Sequence, residues 1–275
     1  MENLIKKLDL NEYITNFSKL FAREKSIILE GDINIHYKII SELSKYNINQ
    51  PLSVQNLDSQ LMHLQKQGVL RVYEIYEFIK IINYFLYLKR FNFEGKLFEW
   101  MDKIIIPNDI LKICEYFDDK ANLKEGVDED FDNIKQAIYK NKEEIKQSLY
   151  KTINSSKIKP YLVDMQVHFI NEQECLLVRG GFNHILSGSV IDRSNSGFFY
   201  VIPHSVSDLK EKQSDLKNKQ EEILFKLCKE ISHIFEKNLL FLKFINKEFD
   251  KFDHYQARIF FSKIGDKNFI LPSKK

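Results

Sequence analysis

Glycine and proline are scarce, nine and five among 275 residues. A chain so poor in turn formers disfavours an all-β or loop-rich fold and favours long helices. Cysteine is scarcer still. Cys114, Cys175 and Cys228 show no paired spacing, which argues against a disulfide framework and fits reduced thiols in a cytoplasmic protein. No Cys/His cluster has zinc spacing. No apolar run approaches the length of a membrane span, and the N-terminal MENLIKKLDLNEY lacks the apolar stretch of a signal peptide, so no membrane partner is expected. An excess of one charge is also missing. Lys and Arg number 41 against 39 Asp and Glu, which is not the strongly basic footprint of a nucleic-acid module. No G-x-x-x-x-G-K-[ST] phosphate loop occurs, and no nucleophile, base and orienting group assemble from neighbouring sequence. This chain by itself is therefore expected to be neither an enzyme nor a cofactor binder.

What is present is helical periodicity. Leu4, Leu8, Ile14, Phe17, Leu20, Phe21 and Ile28 recur at helical spacing, with Asn11 as a candidate N-cap. Gly31-Asp32 breaks the pattern before Ile35, Ile39, Ile40 and Leu43. A short helical turn spans Leu57 to Leu64 and closes at Gly68. Val72 to Phe91 is apolar on nearly all sides and predicts a central buried helix. Pro107 precedes another helix, for which Asn108 or Asp109 is a candidate cap. Residues 1–128 read as a helical core, and the acidic run Asp118 to Asp132 reads as a solvated hinge.

The pattern then narrows to one seam. Phe131, Ile134, Ile138, Ile145 and Leu149 are spaced as a heptad stripe amid Lys, Glu, Gln and Asn, so this helix requires one partner helix. The partner begins at Val206, with Leu209, Leu216 and Ile223 in its seam and Gln213 and Gln220 between. It becomes much more apolar from Leu224 to Phe252. Residues 129–160 and 205–257 are thus expected to run out and back as an antiparallel two-helix arm, the second as one continuous segment.

Between them, 161–204 reads as a small antiparallel β unit at the tip. Val163, Met165, Val167 and Phe169 alternate with polar residues as a half-buried strand. Cys175 to Arg179 is a second strand, stopped at Gly180-Gly181, where a bend or bulge is expected. VIDRSNSGFFYVIP, from Val190 to Pro203, reads as half of a hairpin, with Phe198 to Ile202 the third strand and Phe182 to Gly197 an exposed connection. The turn Ser194-Asn195-Ser196-Gly197 and Arg193 have chemistry suited to phosphate; equally, small hydroxyls and glycine make a turn with no ligand. Lys157, Lys159, Arg179 and Arg193 are the basic groups of the unit, matched in number by Asp164, Glu172, Glu174 and Asp192. A balanced tip implies weak contact with nucleic acid, or contact shared with a second subunit. His168, His184 and His204 match no compact metal motif. Phe198, Phe199 and Tyr200 suit base stacking or core packing, and alternation points Phe199 away from its neighbours.

These residues resemble the lever-and-clamp plan of the MutS family, and are most similar to its second bacterial subfamily, which lacks the mismatch-recognition and connector domains. The clamp of that subfamily carries a run like G-I-V-H-D-x-S-x-S-G-x-T-x-F-I-E-P. Gly188, Val190, Asp192, Ser194, Ser196, Gly197, Tyr200 or Val201, and Pro203 stand in those places, while Ile202 replaces the glutamate. Glu174 to Arg179 corresponds to the R-Y-V-L-P-V-K strand without its proline. Leu57 to Phe91, with Gly68-Val69-Leu70, resembles the helix pair before the levers. The resemblance implies a mainly α fold: a helical core, a long two-helix lever arm and a small β clamp. It implies a homodimeric parent with an ATPase using ATP and Mg and usually a nuclease-like domain, so that 258–275 would lead from this fragment towards an ATPase. It also implies contact with branched or recombination-intermediate DNA, with suppression of recombination as the outcome. On the charge and turn chemistry of the tip, the residues expected to make that contact are Lys157, Lys159, Arg179, His184, Arg193, Ser194, Asn195 and Ser196. A clamp on stalled or collided ribosomes is the alternative within the family. A coiled-coil module binding a partner protein is the alternative outside it.

Overall fold

A computed structural model describes residues 7–171, 173–182, 184–264 and 270. The expected helical residue Leu4, the counted acid Glu172 and most of the segment after Gly265 lie outside the described residues. The chain is mainly helical with one four-stranded antiparallel sheet, and it divides into two compact units, Met1–Lys124 with Leu227–Lys275, and Glu125–Lys226.

The first unit carries helices α1 (Asn11–Ser18), α2 (Ile33–Leu43), α3 (Asp58–Gln65), α4 (Val72–Leu88), α5 (Gly95–Asp102) and α6 (Asn108–Glu115). Between Val72 and Leu88 only Tyr73 and Asn83 are exposed, as the all-round apolar pattern requires. Glu74 accepts a hydrogen bond from the Arg71 backbone N–H at 2.8 Å and fixes the start of α4. The observed caps precede the candidates: Leu10 precedes α1 and Pro107 precedes α6, so Asn11 and Asn108 are the first helical residues and Asp109 is the second of α6. Proline suits this place because its missing N–H would have no intrahelical partner.

The return segment is two helices rather than one continuous segment, α8 (His204–Lys237) and α9 (Leu239–Ile264), interrupted at Asn238. The Asn238 side-chain amide donates to the Ile234 carbonyl at 2.9 Å, a local bond that competes with the helical ladder. The last part of α8 lies in the first unit, where Phe235 meets Phe78 edge to face at 5.5 Å. α9 buries Leu242, Ile245, Phe249, Phe252 and Ile259 at helical spacing. It also carries paired polar groups, of which Asp253 and His254 are buried and Asp250 is half-buried. Asp250 accepts from Arg23 at 2.7 Å, and Asp253 takes the Lys25 ammonium at 2.7 Å. His254 Nδ1 faces the Arg258 guanidinium at 3.1 Å.

In the second unit, α7 (Glu129–Ile153) begins where Asp128 caps the Phe131 N–H at 2.7 Å. Glu129, Asp130 and Asp132 occupy the first turn, where the helix dipole favours negative charge. Part of the acidic hinge is thus a helix start. The buried seam of α7 is Ile138, Asn141, Ile145, Leu149 and Ile153. Asn141 fills the seven-residue gap that the apolar pattern leaves open. It is fully buried, donates to the Leu209 carbonyl of α8 at 3.1 Å, and leaves its side-chain oxygen without a partner.

The sheet has strands β1 (Leu162–Ile170), β2 (Gln173–Val178), β3 (Gly188–Arg193) and β4 (Phe199–Pro203) in the order β1-β2-β4-β3. The expected third strand is therefore the fourth, and VIDRSNSGFFYVIP holds the end of one strand, the turn and all of the next. The connection is exposed along most of its described residues, as expected, but it is not irregular: it contains β3, and Leu186 within it is buried. Alternation in β1 also fails. Phe169 is 66% exposed and Met165 45%, while Leu162, Val167 and Ile170 pack on the core. The register shift between Leu162 and Val167 inserts extra residues against β2 and changes which side chains face inward.

Candidate nucleic-acid interface

The register of the sheet decides which polar residues share one end. Leu162 pairs with Val178, Val178 with Phe199, and Phe199 with Arg193. This row is the start of β1, the end of β2, the start of β4 and the end of β3. The residues just beyond it are therefore neighbours although they lie far apart in sequence.

Three segments meet there. The first is the pair of turns entering β1, where Lys159 N–H donates to the Ser155 carbonyl at 2.9 Å and a 3-10 turn spans Lys159–Tyr161. Lys157 and Lys159 are both exposed on it. The second is the exit of β2. The Arg179 N–H donates to the Tyr161 carbonyl at 2.9 Å, and its Nε donates to the Leu162 carbonyl at 3.2 Å. The stem of Arg179 is thereby fixed while the residue remains exposed. The third is the β3–β4 turn. Ser194 N–H donates to the Phe198 carbonyl at 2.9 Å, and Gly197 N–H to the Ser194 carbonyl at 2.9 Å. Ser194 Oγ accepts from the Phe198 N–H at 3.0 Å. Gly197 has φ of 80°, the left-handed position that closes a three-residue hairpin loop and that glycine adopts without strain. The carbonyl of Gly197 lies 3.1 Å from where a side chain on Gly180 would begin, so the second and third segments touch.

Arg193 completes the arrangement, with its guanidinium 5.3 Å from the Phe199 ring centroid. This contact holds a long cation in place at little desolvation cost. Lys157, Lys159, Arg179, Arg193, Ser194, Asn195 and Ser196 are thus brought to one end. His184 is exposed in the β2–β3 connection, within the turn closed by Ile185 N–H to the Phe182 carbonyl at 3.0 Å.

The acids distribute differently from the count in the sequence. Glu174 is taken by the Lys210 ammonium of α8. Asp164 lies 3.0 Å from His168 Nε2. Asp192 accepts from the Arg193 N–H at 2.7 Å. Among the described residues no carboxylate pairs with the side chain of Lys157, Lys159, Arg179 or Arg193. A tip balanced in number therefore presents an end rich in unpaired cations, which suits a polyanion. The Lys210 ammonium is held below its ordinary pKa by burial and then by Lys217.

All three cysteines are buried, and burial raises Cys114 to about 12 and Cys175 and Cys228 to about 11. Such thiols are not nucleophiles near neutrality. Among the described residues no group of three or more His, Cys, Asp or Glu is placed to hold a metal ion, and no helix is long and apolar enough to cross a membrane.

Sequence reasoning missed two features of this unit. One is the ring pair Tyr161–Phe182, with centroids 5.0 Å apart, which joins residues on either side of β1 and β2. Nothing in the spacing of the two signals their contact. The other is Asn141, for which a signal existed, since it stands at the seam position three after Ile138 and four before Ile145.

No family model matches the chain. It is similar to two curated proteins named Endonuclease MutS2, from two strains of Helicobacter pylori, at 33% and 34% identity over 275 residues. Each alignment covers 98% of this chain and 36% of the relative, so the chain spans little more than a third of the length of the curated relatives it matches. Identity at this level along nearly the whole chain supports a MutS-family relationship.

Proposed function

We propose that this chain is the gripping and transmitting part of a MutS-like protein that encloses DNA. The supporting observation is the single end of the sheet that gathers Lys157, Lys159, Arg179 and Arg193 beside the Ser194–Gly197 turn, with no carboxylate pairing their side chains among the described residues. In this reading 1–128 is the helical core, 129–160 and 205–257 are the outgoing and returning levers, 161–204 is the clamp, and 258–275 leads towards an ATPase. The parent is a homodimer that uses ATP and Mg outside this chain. Nucleotide state moves the dimer, the levers carry the motion, and two facing clamps close on branched or recombination-intermediate DNA, so that recombination is suppressed. The relatives are named as endonucleases, and we place the chemistry of strand cleavage outside this chain. The residues here bind phosphate and carry force.

Salt dependence tests the reading. Four phosphate contacts give a slope of log affinity against log salt of about −3.6, or roughly a 100-fold loss between 50 and 200 mM salt. Four-way-junction DNA binding by the chain should follow that slope. Charge reversal at Arg179→Glu and Arg193→Glu should weaken binding and reduce the slope by about 1 each. Binding that ignores salt, or that the double reversal leaves unchanged, removes this end of the sheet from the account. Sedimentation with ribosomes in the absence of junction binding would select the ribosome instead.

A further inference from the structure

The cationic end of the sheet also carries aromatic surface that the core does not use. Tyr161 and Phe182 face each other with centroids 5.0 Å apart and ring planes inclined at 37°. Phe182 is 40% exposed and Tyr161 is half-buried. Neither ring belongs to the hydrophobic cluster beneath the sheet, which is built from Ile145, Leu149, Leu162, Leu176, Val178 and Val201 among others. The pair thus leaves aromatic surface open beside the cations of this end.

The backbone ties this pair to Arg179 from both sides. Arg179 N–H donates to the Tyr161 carbonyl at 2.9 Å, and Phe182 N–H donates to the Arg179 carbonyl at 3.1 Å. The guanidinium stem is itself pinned by its Nε bond to the Leu162 carbonyl. One anchored cation and two rings therefore form a single element, fixed by three hydrogen bonds to backbone carbonyls. Gly181, between Arg179 and Phe182, has φ of 84°, and this left-handed residue turns the chain so that Phe182 comes back over Tyr161. Lys159, two residues before Tyr161, adds a second exposed cation.

We infer that Tyr161 and Phe182, with Arg179 beside them, form a stacking platform for an unpaired nucleobase, so that this end of the clamp prefers single-stranded or junction nucleic acid to continuous duplex. The inference deepens the DNA-gripping reading and rests on it. The occupant follows from charge and shape together. A purely apolar partner would leave Lys159 and Arg179 facing it unpaired. Duplex DNA would satisfy the cations but buries its base faces in its own stack. A single strand supplies a phosphate for the cations and an open π-face for the rings in adjacent positions.

The test compares three fluorescent DNA probes of equal length, one single-stranded, one forked junction whose two arms are unpaired and one perfect duplex, with the wild-type chain, Tyr161→Ala, Phe182→Ala and Tyr161→Phe. Loss of one base stack corresponds to about 10-fold in affinity. Each alanine variant should lose about 10-fold for single-stranded and junction DNA while duplex affinity stays within about 2-fold, and Tyr161→Phe should bind as wild type does. Phe182→Trp adds a direct readout, because stacking against a base should quench the new fluorescence above the background from Trp100, whose residue lies in the other unit. Circular dichroism melts of each variant separate lost binding from lost folding. Wild-type binding of all three probes that neither alanine variant alters would overturn the platform and leave the cationic grip standing. Failure of the wild-type chain to bind any probe at low salt would overturn both.

Discussion

Asn141→Leu should stabilise the second unit. Asn141 is fully buried between α7 and α8, its amide donates to the Leu209 carbonyl at 3.1 Å, and its oxygen has no partner. A buried amide oxygen without a hydrogen bond costs about 1–3 kcal/mol, and the one bond that Asn141 makes contributes about 0.5–1.5 kcal/mol. The Leu209 carbonyl lies inside α8, so the helical ladder still satisfies it after the substitution. Leucine at this position extends the stripe of Ile138, Ile145 and Leu149 and adds buried apolar surface worth about 1.5–3 kcal/mol, less the cost of fitting a larger side chain, about 1–3 kcal/mol. The net expectation is a gain of about 1–2 kcal/mol. Hydrogen exchange over peptides covering 134–148 reads it directly, since 1.4 kcal/mol slows exchange through unfolding about 10-fold. Asn141→Ala serves as the control, removing both the bond and the orphan oxygen without filling the space. Faster exchange than wild type in both the leucine and the alanine variants would refute the claim that this polar residue is a net cost. A stabilised variant has a further consequence: polar seam residues fix helix register, so cysteines at Ser148 and Ser205, whose hydroxyls lie 3.2 Å apart, should cross-link less cleanly once Asn141 is gone.

Two other outcomes follow from single contacts. His254 is buried beside Arg258, and burial first, then the Arg258 charge, lowers its pKa to about 4. Its unfolded value is near 6.5, so the unfolded chain binds the proton first, and stability of the first unit should fall as pH drops from about 6.5 to 4, by about 2 kcal/mol after allowance for solvent screening. Urea midpoints followed by Trp100 fluorescence should show this loss, and His254→Gln should flatten it; a midpoint independent of pH across that window would contradict it. In the sheet, a Cβ at Gly188 would fall 2.2 Å from the Ile202 carbonyl oxygen, a backbone atom that cannot yield cheaply. Gly188→Ala should therefore destabilise the second unit by about 1–3 kcal/mol or part β3 from β4, which a thermal melt with exchange over 188–203 would register.

The elements that periodicity could reveal were legible. Val72 to Leu88 declared a buried helix because its apolar residues cover nearly every side. The α7 seam declared a partner because its stripe is too thin for a core. Strand alternation misled in β1: Val167 packs on the core as the pattern requires, but Phe169, two residues on, is left in water near the end of the strand. The β3 strand was hidden because its GSVIDR is short, polar and exposed along much of its length, as an edge strand can be. The break at Asn238 lies within an apolar pattern of unbroken helical spacing, and only a side-chain bond marks it.

The candidate interface divides the same way. The sequence by itself determined the residue types, the Ser194–Gly197 turn and the cations on both sides of it, because turn chemistry and charge are local properties. Only the tertiary structure decided which of them meet. Strand register places Lys159, Arg179 and Arg193 at one end, while Lys210 draws off Glu174 and His168 faces Asp164. Net charge is a sum over the chain, but an electrostatic surface depends on distance, and distance between residues far apart in sequence is set by pairing and packing alone.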